Sequence, residues 1–239
     1  MATLDHLNPF VLSVEAVVPE RHGKVDLYFP SATEPRPAIV LVHGGPIPSD
    51  SSPTPRNWPV YRGYASHAAT RGVVGMTVDH RLHDTADYPA AAADVAAAVD
   101  TTRADARVDA DRIAIWFFSG GGLLLADWLS VPPRWLRCVA ASYPLLAPLP
   151  GWEVDPRFRP AEAVVRAGTL PIVLTRAGLE RAPITETVDA FVEAARRSHV
   201  QLQVIDVPGG HHGFDVLDHT DESRRAITTA FDAILGQLL

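Results

Sequence analysis

The stretch Ile113-Ala114-Ile115-Trp116-Phe117-Phe118-Ser119-Gly120-Gly121-Gly122 (IAIWFFSGGG) decides the fold. An apolar run stops at a serine followed by three glycines, and LLLADWL (123–129) then resumes at helical spacing. Two readings compete. Ser119 is either an ordinary N-cap at the start of a helix, or the serine of a nucleophile elbow, a tight strand-to-helix turn that lifts its oxygen above a sheet. The flanking sequence discriminates between them.

Outward from this stretch, strand-like and helical segments alternate. PAIVLVHGG (37–45) and VVGMTV (73–78) are continuous apolar runs, the pattern of strands buried on both faces. LRCVAASY (136–143), PIVLTR (171–176) and LQVIDV (202–207) read as further strands, and VLSVEAVV (11–18) and KVDLYF (24–29) as short strands around a charged turn. Helical patterns cover 60–72, closed by Gly72, and the Ala-rich 88–106, then 123–130, about 183–198 and 221–238. Alternation of this kind predicts a single α/β domain over 1–239, with a mainly parallel sheet covered by helices on both faces.

Bulk properties narrow the function. The chain has 239 residues, 47% hydrophobic and 21% charged, an ordinary globular balance. Its net charge of −7 argues against a nucleic-acid partner, which needs a basic surface. No apolar run has the length of a membrane span, and MATLDHLNPF lacks the basic start and apolar block of a secretion signal. The single Cys138 lies in a buried-strand pattern, so no internal disulfide forms and a reducing, cytoplasmic location is expected. The ten histidines show no spacing that suggests a structural zinc site.

Parallel sheets gather functional groups where strands end. One strand runs into His43-Gly44-Gly45-Pro46, another into Ser119-Gly120-Gly121, another into Ala177-Gly178-Leu179-Glu180, and the last into Gly209-Gly210-His211-His212-Gly213-Phe214. A serine hydroxyl needs an imidazole base and a group that orients that base. The chain supplies serine, acid and histidine in that order. A tetrahedral intermediate also needs preorganised N–H donors. Gly44, Gly45 and Gly120 qualify because backbone without Cβ atoms can approach a substrate closely, whereas Pro46 has no N–H.

These motifs together resemble the α/β-hydrolases, near the hormone-sensitive-lipase-like and dienelactone-hydrolase-like esterases. HGGP resembles the oxyanion loop, and DHRL followed by YPAAAADVAAAV resembles the Tyr-Arg-Leu…Tyr-Pro-Ala-Ala…Asp-Val signature. DRIAIWFFSGGG resembles the elbow, RAGLE the acid loop, and GGHHGFD the histidine loop. The resemblance spans residues 37 to 214 in the expected order. It implies an α/β-hydrolase fold without a large cap domain and hydrolysis of a small-to-medium carboxylic ester, with no metal or organic cofactor. It also implies Ser119 as nucleophile, His212 as base in preference to its competitor His211 because His-Gly-Phe falls on 212–214, Glu180 as acid, and Gly44, Gly45 and Gly120 at the oxyanion. His43 would shape the oxyanion loop, and Asp79, Arg81 and Asp94 would brace the crossover segment.

Two positions depart from the pattern. Phe117 stands where the elbow has a small residue, which asks for space opposite Gly121 or Gly122; it is also the main argument for a rival, a non-catalytic binding protein on the same fold. Glu180 stands where aspartate is commoner, with Glu186, Asp189 and Asp155 as competing acids. A thioesterase, lactonase or acyltransferase would use the same triad, because pocket walls rather than the triad choose the acceptor. Trp116 and Phe118 read as core, and Trp58, Tyr88 and Trp152 as pocket or surface.

Overall fold

The computed structural model describes residues 5–239, so the first four residues of the MATLDHLNPF stretch, read for a leader, lie outside the described residues. Strands β1 (Glu20–His22), β2 (Val25–Tyr28) and β3 (Arg36–Val42) lead into α1 (Pro59–Thr70). Then follow β4 (Val74–Val78), α2 (Tyr88–Ala104), β5 (Val108–Phe118), α3 (Leu125–Ser130) and β6 (Leu136–Ser142). The chain ends with α4 (Pro160–Ala163), β7 (Ile172–Ala177), α5 (Ala182–Arg197), β8 (Leu202–Val207), α6 (Phe214–Leu217) and α7 (Asp221–Leu238). The strands form one sheet in the order β1-β2-β4-β3-β5-β6-β7-β8. β1 and β2 run antiparallel, and the pairs from β4 to β8 are parallel.

β5 shows why the sheet sits at the centre. Ile113, Ile115 and Phe117 face one apolar layer, shared with α2, α3 and α5, while Ala114, Trp116 and Phe118 face the other, shared with α1 and α7. Alternate side chains of a strand point to opposite faces, so an unbroken apolar run is stable only when both faces are covered. No helix among the described residues is long and apolar enough to cross a membrane.

The edge departs from the sequence reading. VLSVEAVV (11–18) forms no strand; instead the charged segment after it supplies the exposed edge strand β1. Gly23, at φ +60°, makes the turn, and Arg21 clamps Asp26 across the pair with bonds of 2.8 and 2.6 Å. Residues 10–17 lie along α1, where Phe10 and Val11 are buried and the Val17 N–H donates to Ser66 Oγ at 3.1 Å. Gly63 permits this, since a Cβ there would stand 2.5 Å from the Phe10 ring. Between β6 and β7 the insert carries the single turn of α4 and a 3-10 turn at Val164–Arg166.

Candidate active site

β5 ends at Phe118, and Ser119 follows at φ +51°, a left-handed conformation unusual for a side chain with a Cβ. Residues Ser119–Leu124 then form a tight 3-10 turn leading into α3. This is a strained strand-to-helix bend of the kind a nucleophile elbow requires and a plain N-cap does not. The three glycines have separate reasons. A Cβ on Gly120 would lie 1.9 Å from the Gly45 carbonyl oxygen, one on Gly121 2.4 Å from that of His43, and one on Gly122 2.6 Å from that of Leu145. Backbone thus closes on backbone at each position. The Tyr88 hydroxyl donates to the Gly120 carbonyl at 2.8 Å, and the Leu145 N–H donates to the Ser119 carbonyl at 2.9 Å. Tyr88 therefore lies inside, bracing the elbow, and neither lines a pocket nor covers surface.

Phe117 is wholly buried, in register with Val42 on β3 and Ala141 on β6. Its space does not come from Gly121 or Gly122, whose missing Cβ positions face carbonyl oxygens. The ring sits in the α2–α3 layer of the core, where Ala141 leaves room beside it.

Ser119 Oγ lies 2.6 Å from His212 Nε2, and His212 Nδ1 is paired with Glu180 Oε2. The acid loop after β7 and the histidine loop after β8 are joined by backbone bonds from Gly178 N to Val207 O and from Leu179 N to Gly210 O, both 2.9 Å. Gly178 is needed for that approach, because a Cβ there would stand 2.3 Å from the Pro208 carbonyl oxygen. The Glu180 side chain is only 4% exposed. Burial pushes its carboxyl upward, but the hydrogen bond and charge of His212 and the Arg181 N–H outweigh this and hold it below its ordinary value. The competing residues are engaged elsewhere. His211 is bound through ring and N–H to Asp218 (2.9 and 2.7 Å), Asp189 pairs with Arg176 at 3.0 Å, and Asp155 caps a turn by accepting from Arg157 N.

The oxyanion loop differs from expectation at one glycine. The Gly44 N–H donates to the Tyr61 hydroxyl at 3.2 Å, so its bond runs into the core and not toward a substrate. Gly45 makes no hydrogen bond among the described residues, and Gly120 is the second residue of a 3-10 turn whose first N–H groups have no partner within the turn. His43, whose ring burial lowers to a pKa of about 4, donates through Nδ1 to the Gly44 carbonyl and stacks on His80 with centroids 3.6 Å apart. Arg81 and Asp94 form a two-pronged pair at 2.8 Å, as expected for the crossover brace. Asp79 belongs to a different set, binding Arg56 at 2.9 Å and the Thr54 hydroxyl at 2.7 Å, and so fastens the 46–58 loop.

Two grooves of about 610 Å³ lie away from Ser119 and His212, one between residues 9–16 and α1, the other beside 132–137 and 166–171. No group of three or more His, Cys, Asp or Glu side chains suited to a metal occurs among the described residues. The residues that sequence reasoning missed are Tyr61, Tyr143 and Asp215. Asp215 had one legible signal, a lone carboxylate inside the otherwise apolar FDVL that follows His212-Gly213.

The sheet order, the elbow and the strand-end loops define the class: the chain has the α/β-hydrolase fold. Within that class, the family model BD-FAE, an esterase family of the α/β-hydrolase type, matches residues 25–128. The chain is similar in structure to a thermophilic esterase of the Planctomycetes species Thermogutta terrifontis, with a TM-score of 0.73, 22% identity, and coverage of 93% of this chain and 94% of that one. The same organism's esterase 2 phosphonylated by cyclosarin superposes with a TM-score of 0.71, at 22% identity over 95% of both chains. Its form phosphorylated by paraoxon gives 0.72, at 21% identity over 97% of this chain and 94% of that one. A search of the curated proteins finds no significant match.

Proposed function

We propose that the protein is a serine hydrolase of small-to-medium carboxylic esters, acting through Ser119, His212 and Glu180 within one α/β domain. The observation that carries the reading is Ser119 Oγ, held at φ +51° at the end of β5 and 2.6 Å from His212 Nε2. Ser119 Oγ attacks the ester carbonyl carbon while Nε2 takes its proton. Glu180 fixes the imidazole tautomer with Nδ1–H toward its carboxylate and stabilises the imidazolium that forms. The negative charge on the tetrahedral oxygen falls to the Gly45 and Gly120 N–H groups, with Gly44 shaping their loop. Collapse expels the alcohol with the proton from Nε2, and a water then repeats the sequence on the acyl-enzyme. Every step uses groups of this chain and calls on no metal or organic cofactor.

The structural relatives support this chemistry. They are esterases, and the modification of one by cyclosarin and paraoxon fits attack by an activated nucleophile on an acyl-like phosphorus centre. The core placement of Phe117 supports the catalytic reading over a non-catalytic protein. Hydrolysis of p-nitrophenyl esters of rising acyl length tests the reading. Turnover is expected with short acyl groups and is lost in Ser119→Ala; equal rates in parent and Ser119→Ala would reject it.

A further inference from the structure

Asp215 is a wholly buried carboxyl three residues beyond His212, and the reaction described above does not use it. Its Oδ2 accepts from the Tyr143 hydroxyl at 2.7 Å and from the Tyr64 hydroxyl at 3.1 Å, while Oδ1 has no side-chain partner among the described residues. An incompletely satisfied buried carboxylate is a poor way to stabilise a core, since an apolar replacement is commonly neutral or better. Tyr143 is unusual too. It takes a left-handed φ of +38° directly after β6, with its N–H bound to the Thr175 carbonyl at 2.9 Å. That conformation is costly for a tyrosine and is retained where the surroundings impose it. The result of the strain is visible: the Tyr143 ring stands edge-on to the His212 imidazole, centroids 5.1 Å apart at 63°, and edge-on to Phe214 at 5.5 Å. Two cost-bearing features, 72 residues apart in sequence, thus meet directly behind the base.

We infer that Asp215, acting through Tyr143, is a positioning residue for His212: it holds the Tyr143 ring against the imidazole and places a second buried negative charge where the imidazolium forms. The inference rests on the Ser119–His212–Glu180 reading. The titratable groups that face Asp215 are Tyr61 and Tyr64 from α1, Tyr143 from the end of β6, and His212 from its own loop. The three tyrosine hydroxyls are all pushed upward by burial and stay protonated, so the imidazole is the cation Asp215 can favour. Burial raises the Asp215 carboxyl from 3.8 to about 6, with the Tyr143 and Tyr64 hydroxyls, its own backbone N–H and His212 acting in the opposite direction. Its charge is therefore present at neutral pH and is lost on mild acidification.

The test is a comparison of Asp215→Asn, Tyr143→Phe and Tyr64→Phe with the parent on p-nitrophenyl acetate from pH 5 to 9. It is accompanied by thermal unfolding at pH 8 and by fluorophosphonate labelling of Ser119. Asp215→Asn and Tyr143→Phe are expected to lower kcat by roughly tenfold or more at pH 8, as for loss of a charge-assisted contact, with KM within about twofold. Labelling should still go to completion, only more slowly. The acid limb of log kcat/KM should be steeper than a single ionisation in the parent and reduce to a single ionisation in Asp215→Asn. Tyr64→Phe, which touches Asp215 but not His212, should keep kcat at pH 8 within about twofold, and Asp215→Asn should unfold no earlier than the parent at pH 8. A parent-like kcat and acid limb in Asp215→Asn overturn the inference, as does a kcat loss that Tyr64→Phe shares equally. If Asp215→Asn does not fold, Tyr143→Phe decides through the same kcat criterion. A parent that Ser119-directed phosphonate does not label would instead remove the underlying triad reading.

Discussion

Gly120→Ala puts the oxyanion site to a quantitative test. An added Cβ would stand 1.9 Å from the Gly45 carbonyl oxygen, where real Cβ contacts do not fall below 3.0 Å. Elbow and oxyanion loop must therefore part by about 1.1 Å, and no flexible side chain is available to give way, because the obstructing atom is backbone. Gly45 and Gly120 carry the two proposed oxyanion donors, so the separation acts on both. Donors work only within about 2.7–3.1 Å of the developing charge, and losing one typically costs about 10²–10³ in kcat, or roughly 3–4 kcal/mol. A displacement of about 1 Å alone can cost about 10². The expected result is a fall of at least about 100-fold in kcat on p-nitrophenyl acetate, with circular dichroism unchanged. Gly236→Ala is the control. It lies in α7 with nothing within 4 Å of the added Cβ, so it should leave kcat alone and stabilise by about 0.5–1 kcal/mol. A folded Gly120→Ala variant with kcat within threefold of the parent would refute the placement of the oxyanion between these loops.

His212→Asn should cripple turnover, by up to about 10⁶ in kcat as for loss of a triad base, whereas His211→Asn removes only a ring bond to Asp218 and should change kcat little; steady-state rates at matched stability decide. Phe117→Gly should cost about 3–5 kcal/mol for the buried ring plus about 0.5–1 for glycine in a strand, read by urea unfolding. A variant as stable as the parent and much faster would show instead that the ring restrains the elbow. Asp215→Asn tests linkage. Because the folded carboxyl sits at about 6 against 3.8, the parent binds that proton more tightly when folded and loses stability as pH rises through this window. The gain of Asp215→Asn over the parent should therefore grow by up to about 3 kcal/mol between pH 4 and pH 7 in urea titrations, and a pH-independent difference would contradict the placement of the charge.

The architecture was legible because its signals are local. An apolar run such as IAIWFF is stable only between two covered faces, and a serine followed by three glycines marks a turn where backbone must close on backbone. Ser119, Glu180 and His212 each stand at a strand end, where chain order and motif locate them without knowledge of packing. What escaped was set by tertiary contact. Residues 11–18 read as a strand-like apolar run, yet they lie along α1, anchored by Phe10 over Gly63 and by the Val17 N–H on Ser66. Gly44 looked equivalent to Gly45 until Tyr61, seventeen residues on, took its N–H. Tyr143 and Asp215 belong to no common motif, and only the left-handed turn after β6 brings the ring of one between the carboxyl of the other and His212.

The central claim is that Ser119 is an activated nucleophile. Parent and Ser119→Ala proteins should be treated with an alkyl fluorophosphonate and the modified peptide located by mass spectrometry. The account predicts one adduct per chain, on Ser119, absent from Ser119→Ala and slowed by His212→Asn. A folded parent that takes up no phosphonate, or a Ser119→Ala protein labelled to the same extent, would contradict it.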